Sequence, residues 1–466
     1  MTGLLCRKTE HVTSVELSIK RSHVNAYRNK DCDNLKIVVG NFEDIEPSLG
    51  NFDYITLIGV WEYSASYISS TDPYRKMLSI ALKHLKPNGN IFIAIENKMG
   101  IKYWNGAVED HTGVQFLGLR NYVDTDKVRT FSKPEIETML RELSVKNYSF
   151  YYPMPDYKLP NVIYSDQYLP KPGSERNYGK DYSGKRQYLF NDALIMDQLC
   201  KDNVFPYFAN SFLVILGKNS SDMVFTKYNR LRKLEYRTKI VISGSSNKGK
   251  IVQRFALCNK AQNHIINLSK NEHFCERTNT ALLQTQGSFE NNCYNTQYIA
   301  RESMCEHLYN HIFDVDYCVS LLRKFSRVIL KNSQEMSTFA ATDQYREWFG
   351  ENYPMGKCHI KSEMNVDMSV DNIKLMPHGK FCLIDYEWVL PFPVPLEYVI
   401  WRTCAFFYVN DYSAYLNKRI DINVFLQRVG VNLINVPVFE KMEQAFLEKI
   451  LGKDYNEAYI LRYVCK

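Results

Sequence analysis

Acidic side chains follow four short apolar segments within the first 100 residues of the chain. The acids, each with the segment that it ends or follows, are Glu16 (12–16), Asp44 (35–39), Glu62 (54–58) and Glu96 (91–95). Parallel strands place their carboxyl ends along one edge of a sheet, where ligands bind. We therefore expect these carboxylates to face a common crevice, where they could accept hydrogen bonds from ribose hydroxyls or attract a cationic group.

A second group of polar residues lies in the last third of the chain. Asn372 comes five residues after Asp367, and thirteen residues later Asp385 ends the apolar segment 381–385. In phosphotransfer enzymes an Asp and an Asn at this spacing serve as base and magnesium ligand, and an Asp at the end of the next strand holds the metal. The pattern predicts Asp367 as a catalytic base and Asn372 and Asp385 as metal ligands.

The elements that must position the first group alternate between strands and helices. Residues 35–39, 54–58 and 91–95 are predicted strands, and residues 72–85 form a predicted helix that Pro87-Asn-Gly89 ends. Such alternation implies right-handed crossovers and a parallel sheet. Residues 150–160 and 211–216 are expected to supply the last strands of the same sheet.

With these residues in place, residues 1–217 resemble the class I S-adenosylmethionine-dependent methyltransferases. The resemblance rests on 13–16, 40–45, 52–63 and 85–89, and it is closest to a bacterial subgroup with a Glu-Asn-Lys-x-Gly-x-Lys-Tyr-Trp stretch, here 96–104, and Glu-Asp-His-Thr-Gly, here 109–113. It implies a Rossmann-like sheet and S-adenosylmethionine as the cofactor. The cofactor-binding residues that it implies are Gly3, Glu16, Asn41, Phe42, Glu43, Asp44, Gly59, Trp61 and Glu62.

Several of these assignments have a simpler alternative. Trp61 could present its face to a sulfonium or pack in the core, and Glu16 could end its strand in solvent. Methyl transfer to oxygen usually needs a base, and His111 beside Asp110 is the predicted catalytic pair. A lone histidine is more often structural, so that alternative stays open for His111.

The predicted sheet lacks its first strand and the glycine-rich turn that follows it in the family, of which only Thr2 and Gly3 would correspond to the downstream side. That strand is central, and a central strand contributes backbone hydrogen bonds worth roughly 1 kcal/mol each. We therefore expect an N-terminally truncated chain with weak cofactor binding or none.

Residues 222–466 resemble the aminoglycoside and choline kinase superfamily, on the strength of Asp367, Asn372 and residues 381–388. The resemblance implies an α+β kinase-like domain with Mg²⁺ and ATP. Two positions depart from the family: Asn365 replaces the expected His, and Arg254 replaces the phosphate-binding Lys. Active phosphotransfer, a kinase-like fold used for binding or scaffolding, and coincidental acid spacing all remain open.

Residues 244–250 fit Gly-x-x-x-x-Gly-Lys, but Ile251 follows and a strand continues, so a β-hairpin turn is predicted instead of a phosphate loop. Residues 170–177 are predicted to be a surface excursion, with a substrate lid as the alternative.

Composition limits the remaining possibilities. The 466 residues carry a net charge of +7 with both signs mostly interleaved, which predicts no nucleic-acid partner. The 12 cysteines contain no Cys-x-x-Cys pair, and no apolar run approaches the roughly 20 residues of a membrane span. We expect a cytoplasmic protein that acts on a small-molecule or carbohydrate substrate, for example a sugar or a surface-polysaccharide precursor.

Overall fold

The computed structural model describes residues 1–123, 128–174, 188–218, 222–244, 249–274, 282–351, 355–411 and 413–452. The chain divides into two compact units. The first comprises Met1–Pro160, Lys180–Asp192 and Val204–Ser221, and the second comprises Asn161–Gly179, Ala193–Asn203 and Asp222–Lys466. The longest segment of the second unit has the bounds predicted for the kinase-like domain, whereas Asn161–Gly179 and Ala193–Asn203 fall within the predicted first domain, 1–217. Segment 161–179 groups with the second unit because its strand pairs with Met223–Tyr228.

The first unit contains two sheets. Its strands are β1 (Val12–Glu16), β2 (Leu35–Val39), β3 (Phe52–Ile58), β4 (Leu85–Glu96), β5 (Tyr148–Met154) and β7 (Ser211–Leu216). β1 and β2 form a separate parallel pair. The other four strands follow the order β3-β4-β7-β5, in which β3 and β4 are parallel and β7 is antiparallel to both of its neighbours.

This arrangement confirms the α/β class of the first half and corrects two details of the prediction. The strands do not form one parallel sheet, because β7 runs against β4 and β5. Residues 87–89 do not end a helix, since they lie inside β4. A Cβ on Gly89 would lie 2.7 Å from the carbonyl oxygen of Asp53, so this glycine permits β3 to approach β4 closely.

The helices of the first unit are short, and side chains cap several of them. They are α1 (Thr2–Cys6), α2 (Ile19–Arg28), α3 (Phe42–Ile45), α4 (Ser64–Tyr67), α5 (Pro73–Lys83), α6 (Ile101–Trp104), α7 (Lys133–Glu142) and α9 (Phe205–Phe208). The Asp72 side chain accepts the amide of Arg75 and so fixes the start of α5, with Pro73 at its first position. α5 buries Met77, Leu78 and Ala81.

The second unit contains a six-stranded antiparallel group in the order β12-β13-β10-β9-β8-β6. These strands are β6 (Val162–Ser165), β8 (Met223–Tyr228), β9 (Thr238–Ser243), β10 (Ile251–Ala256), β12 (Gly287–Glu290) and β13 (Cys293–Gln297). β9 and β10 pair as the hairpin prediction requires, while residues 245–248 of the predicted turn lie outside the described part of the chain. Residues 175–177 of the predicted surface excursion lie outside it too.

Smaller strands complete the second unit and carry its predicted site. They are β11 (Leu282–Gln284), β14 (Gln334–Met336), β15 (Cys358–Ile360), β16 (Met364–Asn365), β17 (Ile373–Leu375), β18 (Phe381–Leu383) and β19 (Val389–Leu390). β18 lies between β11 and β17, and β16 pairs with β19.

Helices supply most of the core of the second unit. They are α8 (Asp192–Lys201), α10 (Gln262–Asn271), α11 (Met304–Asn310), α12 (Val315–Leu330), α13 (Asp343–Phe349), α14 (Leu396–Phe406), α15 (Ser413–Leu416), α16 (Ile422–Val429) and α17 (Val436–Leu451). Tyr398, Phe425 and Phe439 are fully buried members of one continuous apolar cluster. The second half is therefore α+β, as predicted.

No single helix within the described ranges is long and apolar enough to cross a membrane. The pair Ile422–Val429 and Leu433–Leu451, bent by 119°, passes the length and composition test together.

Candidate functional site

The candidate site of the first unit lies at the carboxyl ends of β3 and β4. These strands are adjacent and parallel, so the residues that follow them meet at one edge. Gly59 leaves β3 with a φ of +62°, a conformation that favours glycine. A Cβ there would lie 2.8 Å from Tyr157 Oη and 3.6 Å from Glu62 Oε1. The turn thus brings the Glu62 carboxyl beside the end of β4.

Glu96, the last residue of β4, is a fully buried and well-paired carboxylate. Its Oε1 accepts hydrogen bonds from Lys102 Nζ at 3.0 Å and Lys158 Nζ at 3.2 Å, and its Oε2 accepts one from Tyr103 Oη at 2.7 Å. Burial alone would raise its pKa, but the charges of both lysines and the tyrosine bond together lower the pKa to about 2. Glu96 is therefore ionised at every physiological pH.

Glu62 is equally buried but has no such partners. Neither of its carboxyl oxygens has a hydrogen-bond partner among the described residues. Burial raises the pKa of Glu62 to about 7, and the charge of Glu96 acts in the same direction. Two nearby carboxyl groups thus differ in protonation at neutral pH, which is the arrangement that acid–base chemistry uses.

His111 lies between these two carboxyl groups. Its Nε2 is 3.7 Å from Glu62 Oε1 and 3.6 Å from Glu96 Oε2, and it has no hydrogen-bond partner among the described residues. On the other side of the ring, Nδ1 is 2.5 Å from Tyr63 Oη. Burial lowers the pKa of His111, which favours the neutral imidazole.

Asp110, the predicted partner of His111, forms an ion pair with Lys158. Its charge also acts on His111, where it raises the pKa of the imidazole against the effect of burial. The groups that face the imidazole of His111 come from more distant positions: Tyr63, Glu62 and Glu96. The sequence suggests Asp110 because it is adjacent to His111. The spacing of residues alone does not show that the fold brings Glu62 and Glu96 to His111.

The expectation that the strand-end acids share one crevice is wrong, because the cleft that Glu16 lines includes none of Asp44, Glu62 and Glu96. Of the predicted cofactor residues, Gly59 and Glu62 lie at the ends of β3 and β4, and the others lie in three further places. Gly3 and Glu16 line the same cleft of about 670 Å³, beside Ser14, Lys20 and Asn25. The Oε1 atom of Glu16 accepts the Ser18 amide at 2.9 Å. The cleft is large enough for a nucleoside-sized ligand, and a carboxylate there suits ribose hydroxyls, so its residues fit that part of S-adenosylmethionine.

The segment after β2 is not part of the lining of that cleft. Glu43 forms an ion pair with Lys76, Asp44 is exposed, Phe42 is half-buried at the start of α3, and Asn41 has a buried Oδ1 without a partner among the described residues. Trp61 lies elsewhere again: it is fully buried, its indole N–H donates to the carbonyl of Tyr74 at 2.9 Å, and its ring packs on Phe131. The packing alternative therefore describes Trp61, and no face of its ring is available to a cofactor.

The sequence reasoning missed four residues of the site. Lys102 and Tyr103 hold Glu96, Asp156 forms a second ion pair with Lys102 at 3.1 Å, and Lys158 joins Glu96 to Asp110. Residues 97–104 contribute to the prediction only through the family resemblance. The sequence signal for Lys102 was its position six residues after Glu96, because α6 turns back toward the end of β4.

The second unit brings its predicted residues together at the ends of β16 and β18. Asn372 Nδ2 donates to the Asp367 carbonyl at 3.0 Å and to its Oδ2 at 3.3 Å. The Asn372 carbonyl accepts the amide of Ile384, the residue before Asp385. Asn365, which stands in place of the expected His, donates from Nδ2 to the Asp385 carbonyl at 2.9 Å. Its side chain therefore binds the backbone of the segment that carries Asp385.

Two arginines face the acids of this second group. Arg402 Nη1 is 2.6 Å from Asp367 Oδ1, and Arg254 Nη2 is 3.9 Å from Asp385 Oδ2. Burial raises the pKa of Asp385, against the opposing effect of Arg254. Asp385 and Asn372 offer oxygen donors of the kind that Mg²⁺ prefers, but within the described ranges no group of three or more His, Cys, Asp or Glu could hold a metal ion.

Comparisons with known proteins find similar solved structures only. No family model matches the chain, and no curated protein matches it. Solved structures that resemble it include a SAM-dependent methyltransferase, possibly a histamine N-methyltransferase, from Thermotoga maritima (11% identity, 44% of this chain and 72% of that one, TM-score 0.25). They also include the macrolide 2'-phosphotransferase MphH from Brachybacterium faecium (9% identity, 52% and 92%, TM-score 0.30).

A third solved structure, WbdD, spans both units. It is described as a bifunctional kinase-methyltransferase, and it is 11% identical over 95% of this chain and 81% of its own, with a TM-score of 0.23. The structures found thus include both classes that the sequence resembles.

Proposed function

We propose that the first unit is a methyltransferase that uses S-adenosylmethionine and an oxygen-bearing acceptor such as a sugar or a surface-polysaccharide precursor. The observation that carries the proposal is the convergence of His111, Glu62 and Glu96 at the ends of two adjacent parallel strands. A neutral imidazole beside an ionised carboxylate and a second carboxyl group that titrates near neutrality is a proton-transfer site.

Each residue has a distinct part in this proposal. S-adenosylmethionine, when bound, supplies an electrophilic methyl group. Glu16 and Gly3 hold the ribose side of the cofactor in the cleft that they line. His111 takes the acceptor proton through Nε2. This role requires the tautomer in which Nδ1 carries the proton and donates it to Tyr63 Oη, 2.5 Å away. Glu96 stabilises the resulting imidazolium from 3.6 Å.

Calorimetric titration with S-adenosylhomocysteine, the demethylated cofactor, tests the proposal on the full 466-residue chain. We expect saturable binding that Glu16→Gln weakens about tenfold, because a hydrogen bond to a charged group is worth about 1.5–3 kcal/mol. Glu10→Gln is the matched control, since Glu10 is exposed and does not line the cleft. The absence of any heat of binding would remove the proposal.

The second unit supports a second candidate function, ATP- and magnesium-dependent phosphorylation of a small molecule. The favouring observation is the direct bond from Asn372 to Asp367, with Asp385 held next to both by Ile384 and Asn365. Asp367 is the base in this proposal, while Asn372 and Asp385 hold Mg²⁺. Arg254 takes the place of the lysine that binds phosphates in the superfamily.

Binding of ATP in the presence and absence of Mg²⁺, measured by calorimetry, tests this second function. Asp385→Ala is expected to abolish the magnesium-dependent part of the affinity, whereas Asp343→Ala, at a fully exposed position of the same unit, is expected to leave it unchanged. An unchanged nucleotide and metal affinity in Asp385→Ala would exclude the function. If both units fail their tests, a non-catalytic binding protein is the remaining candidate.

A further inference from the structure

The strongest unexplained feature of the first unit is a set of unsatisfied polar atoms in one place. Both carboxyl oxygens of Glu62 and the Nε2 atom of His111 are buried without a hydrogen-bond partner among the described residues. The nearest pair of these atoms is 3.7 Å apart, too far for a direct hydrogen bond. Glu62 itself is 0% exposed. A buried polar atom left unpaired costs free energy, so these atoms indicate a missing partner.

The partner must be able both to donate and to accept a hydrogen bond. A protonated Glu62 donates, and an ionised Glu62 only accepts, while a neutral imidazole can do either according to its tautomer. In the tautomer that donates from Nδ1 to Tyr63, which the proposed base requires, Nε2 is an acceptor and needs a donor. A hydroxyl group meets both requirements, since it carries one donor and two acceptor positions.

The charges around this space decide against an anionic partner. Glu96, Asp110 and Asp156 are the carboxylates nearby, and the two lysines of the cluster are bound to them: Lys102 to Glu96 and Asp156, Lys158 to Glu96 and Asp110. A phosphate or carboxylate brought to Glu62 and His111 would therefore meet negative charge without a new cation to pair with.

We propose that Glu62 and His111 form the acceptor subsite of the methyltransferase, that this subsite takes an uncharged hydroxyl group, and that Glu62 receives the proton from His111. The proposal rests on the proposed methyl transfer. In the step, the acceptor O–H bond breaks, its proton goes to His111 Nε2 and its electron pair forms the new bond to the methyl carbon. The sulfur keeps the electron pair of the broken C–S bond, and the proton then passes to the Glu62 carboxylate and on to solvent.

The groups that face Glu62 from the surrounding elements are consistent with a proton-accepting role near neutral pH. They are Glu96 of β4, His111 of the segment after α6, Tyr157 and Lys158 of the segment after β5, and Tyr63 of its own turn. Lys158, 39% exposed, and Asp110, 30% exposed, are the solvent-facing members of the cluster and mark the side from which a proton leaves.

The first test measures the subsite without turnover. Carbon-13 NMR of protein labelled at glutamate side chains would identify the Glu62 signal as the one lost in Glu62→Gln. We expect that signal to titrate near neutrality and its midpoint to move when His111 is replaced in His111→Asn. Glu109→Gln is the matched control, because Glu109 is also buried but is bonded to the Gly118 amide and the Tyr122 hydroxyl. A Glu62 titration midpoint that does not change in His111→Asn would overturn the proposed proton transfer from His111 to Glu62.

The second test measures the acceptor class by calorimetry on the protein loaded with S-adenosylhomocysteine. The probes are the methyl glycosides of glucose, galactose and mannose, and the 6-phosphates of the same sugars. We expect at least one neutral glycoside to bind, to bind more tightly than its phosphate, and to lose about tenfold in affinity in Glu62→Gln. Tighter binding of the phosphates, or no binding of any neutral glycoside, would overturn the subsite. Loss of S-adenosylhomocysteine binding itself would instead count against the proposed function.

Discussion

Glu62 and Glu96 carry the same carboxyl group, 34 positions apart in the sequence, and their surroundings drive their pKa values in opposite directions. Two lysines and a tyrosine hydroxyl lower the pKa of Glu96, whereas burial and the negative charge of Glu96 raise the pKa of Glu62. The protonation state of each residue is therefore set by what the fold places beside it. This difference has a measurable effect on stability.

We expect Glu62→Gln to stabilise the protein above pH 7. The folded-state pKa of about 7 lies above the ordinary value of 4.5, so the folded chain binds the Glu62 proton more tightly than the unfolded chain does. Stability is therefore lost as the pH rises from 4.5 to 7, by about 3 kcal/mol at most for this group. Gln has no proton to lose, and the variant should keep that stability.

Urea unfolding at pH 5 and pH 8 measures the effect, with Glu10→Gln as an exposed control. The gain of Glu62→Gln over the natural chain should be larger at pH 8 than at pH 5. Glu96 has the opposite sign: its pKa is lowered to about 2, so its contribution is present above pH 4.5 and is lost as the pH falls toward 2. Equal effects of Glu62→Gln at the two pH values would contradict the assignment.

At the scale of elements, the link between β4 and α6 depends on one buried lysine. Lys102, 2% exposed, joins Glu96 at the end of β4 to Asp156 after β5. We expect Lys102→Met to destabilise the first unit by about 3–5 kcal/mol, because it removes the buried cation that Asp156 binds and one of the two lysines that Glu96 binds. Lys158→Met is the matched comparison, since Lys158 also contacts Glu96 but is 39% exposed.

Urea unfolding of both lysine variants at pH 7 checks this expectation. The half-exposed lysine should cost clearly less, because water can replace part of its interaction. A loss in Lys158→Met as large as the loss in Lys102→Met would show that burial does not govern the strength of these ion pairs.

The sequence predicted β1, β2 and the ends of β3 and β4 well, because each is a short segment rich in apolar residues that ends in a carboxylate or is followed by a glycine. From residue type and position in the sequence, it predicted Glu62 as a cofactor-binding residue and His111 as a catalytic residue. It could not predict that Tyr63 would bind His111, 48 residues away, or that Lys158 would reach Glu96 from 62 residues away. Such pairs depend on the position of β4 between β3 and β7, and the spacing of residues in the sequence does not predict that position.

The same limit explains two further details that the sequence does not predict. Asp110 forms an ion pair with Lys158, which lies 48 residues away. Pro87-Asn-Gly89 has the composition of a helix stop, yet the close approach of the Asp53 carbonyl to Gly89 places it in a strand. In both cases a contact distant in sequence outweighs the local pattern.

Over the whole molecule, the burial of the cysteines predicts which thiols react. Ten of the 12 lie in the described part of the chain; eight of these are buried, and Cys32 and Cys258 are half-buried. Burial raises the pKa of Cys318, Cys382 and Cys404, which keeps their thiols protonated and unreactive. Of the described cysteines, Cys32 and Cys258 should therefore react first.

Brief alkylation of the native protein with iodoacetamide, followed by peptide mass spectrometry, measures this order. We expect modification of Cys32 and Cys258 well before the eight buried thiols, and equal modification of all ten after unfolding in urea. Early modification of Cys382 or Cys404 would contradict the packing of the second unit.

The separate pairing of β1 with β2 has a consequence for how the molecule opens. All five residues of β1 are only half-buried, whereas residues 89–96 of β4 are almost entirely buried. Amide hydrogens of residues 12–16 should thus exchange with deuterium far faster than those of 91–95, through local opening that spares the rest of the chain. A ligand that fills the cleft between α1, β1 and α2 must hold this region closed, so it should slow exchange there first and give up part of its affinity in doing so.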